Sequence, residues 1–290
     1  MNTVVFIQAR LGSTRFPGKI FSKYKNTTML EVLLKRLSLS KKINKIIFLI
    51  PDNKENIPLK SFIKKLGYNF FCGSEENVLS RFFFAAKKFK PLTIIRITSD
   101  CPLIDPFILD KMIKKFNESK FDYLSNTIDP TYPDGFDVEI FSRKTLSLAF
   151  KNANLDYDKE HVTPYIKREK IFNTYNYSQN KDYSDIRITL DTKKDFENIK
   201  SVLNYFSPRL DFKFSEIIKL PVKIKQNLLM KRTPPYKMTS GEKMWKRAKV
   251  SIPDGNMFFS KRPELFLKKS WPTYYSKAKG CYVWDLDRIR

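Results

Sequence analysis

The stretch that decides the fold of this chain is VVFIQARLGSTRFPGK, residues 4–19. It begins with a short run of β-branched and aromatic side chains and continues into a loop that contains Gly, Ser and Thr. Such a run, bounded by turn residues, is typical of a buried β-strand. Arg10, Arg15 and Lys19 then place three cations beyond the strand's carboxyl end. That end is where open α/β sheets bind their ligands.

The loop predicts a binding site for phosphate groups. Gly12 and Gly18 allow the backbone to approach a bound group, and Ser13 and Thr14 add hydroxyl donors. Arginine side chains bind phosphate oxygens through two parallel hydrogen bonds. Because the spacing matches neither G-x-x-x-x-G-K-[ST] nor G-x-G-x-x-G, the sequence excludes a P-loop and a dinucleotide fingerprint. The expected ligand is a polyphosphate, and the alternative is a solvated basic loop in a basic protein.

Composition predicts a globular protein that binds neither nucleic acid nor membranes. The 290 residues are 42% hydrophobic and include 25 Phe, enough for one large core or two modest ones. The net charge of +25 comes from lysines spread along the whole chain, and no nucleic-acid-binding motif accompanies them. A basic protein that binds nucleic acid or a membrane surface is therefore only a secondary alternative.

Cysteine and histidine usage limits the chemistry further. Cys72, Cys101 and Cys281 are too far apart for a zinc or redox pair and are expected to be reduced core residues. His161 is the single histidine, which excludes a metal site built from several histidines. Neither a leader nor a membrane-spanning stretch is expected, so the sequence predicts a cytoplasmic protein.

Strand and helix patterns alternate along the first 206 residues, which indicates an α/β fold with a mostly parallel sheet. The predicted strands cover residues 4–7, 45–50, 68–71, 93–98, 137–141 and 186–190. The predicted helices cover residues 29–37, 59–66, 78–89, 143–153, 160–167 and 192–206, and Pro106 begins a further helix.

Changes in composition predict the domain organisation. They fall near residues 219–221 and at the pair Pro234 and Pro235. The prediction is a first domain over residues 1–220, a linker over 221–237 and a C-terminal segment over 238–290. Because about fifty residues are too few for an independent core, this segment is expected to be an appendage that packs on something else.

Two carboxylates directly follow predicted strands. Asp100 comes after residues 93–98 and Asp191 after residues 186–190, so both are expected at the sheet edge that carries the first loop. One or two carboxylates together with substrate phosphates are the usual ligands of Mg²⁺. The sequence therefore predicts a magnesium site at Asp100 and Asp191. A turn or a helix N-cap is the structural alternative for each.

Six blocks of sequence, in order, resemble the cytidylyltransferase family, in particular the branch similar to spore-coat polysaccharide biosynthesis protein F. This branch is related to CMP-ketodeoxyoctonate and CMP-sialate synthetases. The resemblance runs from residue 4 to about residue 206. The blocks are IQARLGSTRFPGK (7–19), GSEENVLSRF (73–82), RITSDCPLID (96–105), YPDGFDVE (132–139), EHVTPY (160–165) and LDTKKDF (190–196).

The resemblance implies a three-layer, Rossmann-like nucleotide-diphosphosugar transferase fold with a mostly parallel mixed sheet. It also implies Mg²⁺-dependent transfer of CMP from CTP to a hydroxyl of a sugar or sugar acid, with release of pyrophosphate. The partners would be CTP and the acceptor sugar or sugar acid. The resemblance is also compatible with a homodimer. A glycosyltransferase of the same fold that consumes a nucleotide sugar is the alternative enzyme.

The resemblance also implies roles for individual residues. Arg10, Lys19 and Asp100 would be catalytic, and Asp100 and Asp191 would hold the metal. The expected nucleotide-binding residues are Gln8, Ala9, Arg10, Gly12, Ser13, Arg15, Lys19, Ser74 and Arg81. The expected acceptor-binding residues are Asp137, Glu139, His161 and Arg187. Asn77 and Ser80 stand where the family commonly has acidic residues, a departure that concerns nucleotide contacts rather than the reaction.

The C-terminal segment resembles a different family. Residues 238–248, 252–255 and 279–287 are similar to the beginning of a class III aminotransferase of the glutamate-1-semialdehyde aminomutase type. In that family the lysine that forms the Schiff base with PLP lies far downstream, so the resemblance implies that this chain does not bind PLP. The expected arrangement is a cytidylyltransferase–aminotransferase fusion that is cut short.

Overall fold

The computed structural model describes residues 2–230 and, further along the chain, 244, 247–248, 274–279 and 282–285. The strands are β1 (Thr3–Gln8), β2 (Lys23–Tyr24), β3 (Thr27–Thr28), β4 (Lys45–Pro51), β5 (Asn69–Gly73), β6 (Thr93–Thr98), β7 (Tyr123–Ser125), β8 (Glu139–Ser142), β9 (Thr174–Asn176), β10 (Tyr275–Lys279) and β11 (Tyr282–Asp285). The helices are α1 (Met29–Leu37), α2 (Ile57–Lys65), α3 (Val78–Phe89), α4 (Pro106–Asn117), α5 (Arg143–Asn152), α6 (Asp156–His161), α7 (Pro164–Arg168), α8 (Lys193–Phe206), α9 (Phe214–Ile217) and α10 (Val222–Leu228). Among these residues, no helix combines the length and the apolar character needed to cross a membrane.

Seven strands form one mixed sheet in the order β5-β4-β1-β6-β8-β7-β9. β1 lies between β4 and β6 and is parallel to both, and β4 is parallel to β5. β8 runs antiparallel to β6 and β7. The apolar run of β1 suits a central strand that is covered on both faces. The mostly parallel α/β fold that the sequence predicts is confirmed.

Side chains alternate between the two faces of the sheet, and each face has its own core. On one face Val5, Ile7 and Ile97 pack in a buried cluster with residues of α1, α4 and α8. On the other face Val4 and Phe6 pack with residues of α3 and α5. Helices on both faces of one sheet give the expected three layers.

Polar side chains fix where several helices begin. Thr28 and Glu31 form a capping box at α1, and Thr192 and Asp195 form another at α8. Such caps satisfy backbone N–H groups that have no partner within the helix. Because Thr192 caps α8, the neighbouring Asp191 carboxylate is directed to groups outside the helix, and the N-cap alternative for Asp191 does not apply.

The strand predicted over residues 186–190 is not present. Ile186 and Arg187 make only isolated bridges, with Leu229 and Asp134 respectively. A strand needs a continuous edge with which to pair, and neither partner offers one. This segment therefore runs beside the sheet as an extended connection that leads to Asp191.

Two short helices, α6 and α7, replace the single helix predicted over residues 160–167. Between them Val162 adopts φ 71° and ψ −51°, a rare conformation for a β-branched residue. The N–H of Thr163 donates to the carbonyl of His161 at 2.8 Å, which closes a γ-turn. Pro164 lacks an N–H, so it cannot continue α6 and instead begins α7.

The compact unit that contains the sheet extends to Met230, beyond the boundary predicted at residue 220. α10 belongs to this unit, because Leu228 is buried and its carbonyl accepts from the N–H of Arg187 at 2.8 Å. The linker predicted over residues 221–237 therefore begins inside the folded unit. Within this stretch Leu228 is buried and Ile224 packs partly against the core, whereas Val222 is exposed.

The second unit is Lys231–Arg290. Among its described residues, β10 and β11 pair as an antiparallel ladder. Most of the segment predicted to resemble an aminotransferase lies outside the described residues. That resemblance stays a prediction.

Candidate active site

The loop that follows β1 is held in place by the segment before α2. The N–H of Leu11 donates to Oδ1 of the buried Asn56 at 2.9 Å. A Cβ atom on Gly12 would lie 3.0 Å from a carboxylate oxygen of Glu55, closer than ordinary contact. Gly18 has φ 65°, a left-handed conformation that glycine adopts without strain. Gly18 therefore permits a turn that other residues would adopt only with strain, and the hydrogen bond to Asn56 anchors the loop.

Lys19 brings together the two aspartates singled out in the sequence. Its Nζ lies 3.0 Å from Asp100 Oδ2 and 2.8 Å from Asp191 Oδ1. Burial opposes the charge on this ammonium, but the two carboxylates outweigh burial and raise the pKa of Lys19. Burial would likewise raise the pKa of Asp191, but hydrogen bonds from Lys19 and Arg187 lower it. Lys19 and Asp191 are therefore both charged near neutral pH.

Asp100 and Asp191 fit a divalent cation. Both face the Lys19 ammonium, so the structure already places a positive charge between them. Two carboxylates together with phosphate oxygens suit the octahedral oxygen coordination of Mg²⁺. Within the described residues, no cluster of three or more His, Cys, Asp or Glu is arranged as a metal site. A metal held here would therefore take further oxygen ligands from a bound substrate or from water.

A cavity of about 230 Å³, called the phosphate cavity below, adjoins Lys19 and the two aspartates. Its lining includes the predicted nucleotide-binding residues Gln8, Ala9, Arg10, Ser13, Arg15, Lys19 and Arg81. The Arg10 and Arg15 side chains are 56% and 65% exposed, and their carboxylate partners lie 3.8 and 3.2 Å away. Because both guanidinium groups are largely exposed, they can exchange these carboxylates for phosphate oxygens.

A second cavity, of about 720 Å³ and called the nucleoside cavity, shares Gln8, Arg10 and Arg81 with the first. Arg81 is 2% exposed, and its Nε and Nη1 atoms are buried with no hydrogen-bond partner in the described part of the chain. Burial lowers the pKa of this guanidinium to about 10. Buried donors without acceptors are costly. The arrangement therefore indicates a ligand that brings lone pairs to Arg81.

Ser74 supports the nucleoside cavity and is not one of its lining residues. Its hydroxyl accepts from the N–H of Asn77 at 2.9 Å. Asn77 in turn caps α3, where its Oδ1 accepts from the N–H of Ser80 at 2.9 Å. Asparagine caps helices about as well as aspartate does. The departure from acidic residues at positions 77 and 80 therefore preserves the start of the helix that carries Arg81.

A third cavity, of about 530 Å³ and called the acceptor cavity, shares Thr98 with the phosphate cavity and His161 with the nucleoside cavity. Its lining includes three of the residues that were expected to bind the acceptor, namely Asp137, Glu139 and His161. Burial raises the pKa of Asp137 to about 7, and the carboxylates of Asp134 and Glu139 add to the shift. The acceptor cavity therefore contains a carboxylate that can exchange a proton near neutral pH.

Three cations that line the acceptor cavity, Arg96, Lys167 and Arg168, were missed at the level of sequence. Arg96 pairs with Glu139, and Lys167 Nζ lies 3.1 Å from Glu139 Oε1. Arg96 carried a signal, because a charged residue interrupts the apolar run of β6. Lys167 carried none, since lysines occupy many solvent-facing helix positions in this chain.

Arg187 is not among the residues that line the acceptor cavity, and its role in binding the acceptor stays a prediction. Its guanidinium is held by three carboxylates, those of Asp134, Asp191 and Asp195. Nη2 lies 2.6 Å from Asp191 Oδ2. Arg187 holds Asp191 in position beside Lys19.

Comparisons with known proteins agree with this architecture. Residues 4–231 match the cytidylyltransferase family model. The spore coat polysaccharide biosynthesis protein SpsF of Bacillus subtilis is 33% identical over 229 residues, which cover 76% of this chain and 94% of that protein. An 8-amino-3,8-dideoxy-manno-octulosonate cytidylyltransferase of Shewanella amazonensis is 22% identical over 196 residues, which cover 61% of this chain and 78% of that protein. A solved cytidylyltransferase from Leptospira borgpetersenii is 33% identical, has a TM-score of 0.75, and covers 81% of this chain and 99% of its own. With a family match over most of its length, the chain belongs to the cytidylyltransferase family.

Proposed function

We propose that this chain transfers CMP from CTP to a hydroxyl group of a sugar acid and releases pyrophosphate. The observation that carries the proposal is the sharing of lining residues among the three cavities. The phosphate cavity meets the nucleoside cavity at Gln8, Arg10 and Arg81, and it meets the acceptor cavity at Thr98. A nucleotide bound across the first two cavities would bring its α-phosphate to the border of the third.

The cations of the first loop would hold the triphosphate. Lys19 is fixed by two carboxylates, whereas Arg10 and Arg15 are exposed and can turn toward phosphate oxygens. In the reaction the acceptor oxygen forms a bond to the α-phosphorus, and the bond from that phosphorus to the bridging oxygen breaks. Negative charge grows on the departing pyrophosphate, and preorganised cations lower that barrier. Asp100 and Asp191 would hold Mg²⁺, which neutralises phosphate charge when it is bound.

Asp137 would accept the proton of the attacking hydroxyl. It lines the acceptor cavity, and its raised pKa, about 7, is close to the pH at which such a base works best. Burial and the neighbouring carboxylates of Asp134 and Glu139 both favour protonation. The proton that leaves the acceptor would therefore be held on the Asp137 carboxyl while pyrophosphate departs.

The relatives and the cavity together suggest the class of acceptor. One relative is named for an amino sugar acid and another for spore coat polysaccharide biosynthesis. Arg96 and Lys167 line the acceptor cavity, so a carboxylate on the acceptor would meet cations there. We therefore favour a sugar acid, activated for polysaccharide synthesis, over a neutral sugar.

The test is pyrophosphate release from CTP in the presence of Mg²⁺ and a panel of sugars and sugar acids. CTP should support release with a sugar acid and should raise Tm. Asp100→Asn should abolish turnover while the protein stays folded, and Asp211→Asn, on an exposed side chain, is the matched control that should keep activity. A glycosyltransferase would instead release a nucleoside phosphate from a nucleotide sugar. Absence of pyrophosphate with every acceptor, together with no effect of CTP on Tm, would contradict the proposal.

A further inference from the structure

A row of polar side chains connects the acceptor cavity with the nucleotide-binding cavities. Gln8, Arg96 and Glu139 belong to β1, β6 and β8, which are neighbours in the sheet. Arg96 lies opposite Glu139 in the pairing of β6 with β8, and Gln8 lies opposite Thr98 in the pairing of β1 with β6. Because side chains alternate along a strand, all of these residues share the sheet face that carries Phe6. The row begins where the apolar core of that face ends.

Glu139 holds one end of the row. It is 4% exposed, and its Oε1 accepts hydrogen bonds from the hydroxyls of Tyr123 and Thr163, each at 2.5 Å. The same oxygen lies 3.1 Å from Lys167 Nζ, while Oε2 accepts from Arg96. Burial opposes the charge, but Arg96 and Lys167 lower the pKa of Glu139 to about 2. Protein donors reach both oxygens, so Glu139 is held in place and in turn fixes Arg96.

Arg96, held by Glu139, in turn restricts the orientation of the Gln8 side chain. Its Nη2 lies 3.0 Å from Gln8 Oε1. A guanidinium has only donors, so it can pair with the oxygen of an amide and not with the nitrogen. The Arg96 side chain is only 15% exposed and is paired with Glu139, so the Gln8 amide has one orientation. Its NH₂ group is turned away from Arg96, and Gln8 lines both the phosphate cavity and the nucleoside cavity.

We propose that Arg96 is a positioning residue for nucleotide recognition, which fixes the Gln8 amide so that its NH₂ group donates to the nucleoside of CTP. The inference rests on the proposed function. A cytosine base offers lone pairs at O2 and N3 to such a donor. A donor that is already oriented loses less side-chain freedom on binding, which favours affinity.

Arg96→Lys separates positioning from charge. A lysine keeps the positive charge beside Glu139, but it lacks the planar fork that reaches Glu139 and Gln8 together. Gln8→Leu removes the donor and leaves the pair of Arg96 and Glu139 intact. Arg143→Lys, at the exposed start of α5, makes the same chemical change away from the site and is the matched control.

The experiment is a double-mutant cycle on the Kd for CTP, measured by calorimetry without acceptor. We expect Gln8→Leu to raise this Kd about tenfold, the effect of one hydrogen bond, and Arg96→Lys to raise it about threefold to tenfold. The double variant should bind CTP as weakly as Gln8→Leu alone, because Arg96 acts through Gln8. Arg143→Lys should bind CTP as the wild type does.

Inorganic triphosphate separates nucleoside recognition from phosphate binding. Its Kd should be the same in the wild type, Gln8→Leu and Arg96→Lys. The inference is overturned if Arg96→Lys keeps the wild-type Kd for CTP, if the two effects multiply in the double variant, or if triphosphate binding weakens in parallel. Should Arg96→Lys fail to fold, Gln8→Leu alone decides, since a wild-type Kd for CTP in that variant also overturns the inference. A wild-type protein that binds no CTP contradicts the proposed function itself.

Discussion

The Asp137 carboxylate should lower the stability of the folded protein while serving the reaction, and Asp137→Asn should reveal both effects. The pKa of this group rises from 3.8 to about 7 on folding, through burial and the carboxylates of Asp134 and Glu139. A carboxyl group whose pKa is raised on folding destabilises the native state once it ionises. The penalty is absent below pH 3.8, grows as the pH rises to about 7 and is constant above that value. Asparagine has a similar shape and no charge, so it removes the penalty.

The magnitude follows from the size of the shift. About three pKa units correspond to roughly 4 kcal/mol at pH 8, and the same titration gives roughly 2 kcal/mol at pH 5. We expect Asp137→Asn to raise the free energy of unfolding by amounts of this order, with the larger gain at pH 8. Urea unfolding of the wild type and of Asp137→Asn at the two pH values measures this gain. The other titratable groups are the same in both proteins, so their contributions cancel in the difference.

Activity should change in the opposite direction. Loss of the proposed proton acceptor should lower the rate of pyrophosphate release by about 10²- to 10⁴-fold. Two results would refute the reasoning about Asp137. One is a variant that is no more stable than the wild type at pH 8, and the other is a gain in stability that is equal at pH 5 and pH 8.

Three further substitutions test other parts of the account. Lys19→Met removes the cation between the two aspartates and should lower kcat/KM for CTP by about 10²- to 10³-fold in steady-state assays. Asn56→Ala leaves the N–H of Leu11 without its acceptor and should raise KM for CTP several-fold with little change in kcat. Arg36 is buried and donates to three backbone carbonyls, so Arg36→Met should cost about 3 kcal/mol in urea unfolding and leave KM for CTP unchanged. An unchanged KM in Asn56→Ala, or an altered one in Arg36→Met, would contradict these assignments.

Elements whose signals are local were predictable from the sequence. α1, α3 and β6 begin and end where the apolar patterns predict, because the periodicity and the capping residues lie within the elements or beside them. The segment over residues 186–190 has an equally good strand pattern, yet it does not pair. Whether a strand forms depends on a partner edge, and that partner is set by residues far away in the chain.

In the candidate site, too, features within one segment were predictable and contacts between distant residues were not. The cations and glycines of the first loop stand together in the sequence, so a phosphate cradle could be predicted there. The strand pattern predicts that Asp100 and Asp191 lie at the sheet edge that carries this loop. The ion pairs of Lys19 with both aspartates, 81 and 172 positions away in the chain, are seen only in the fold. The role of Arg96 depends on Glu139 across the sheet. Patterns within one segment carry no information on such pairs.

A calorimetric titration of CTP in the presence of Mg²⁺ tests the central claim most directly, namely that the loop after β1, Asp100 and Asp191 form the nucleotide site. We predict saturable binding of CTP to the wild type, and strongly weakened binding to Lys19→Met, which should stay folded. Absence of CTP binding to the wild type, or equal affinity in Lys19→Met, would contradict the claim.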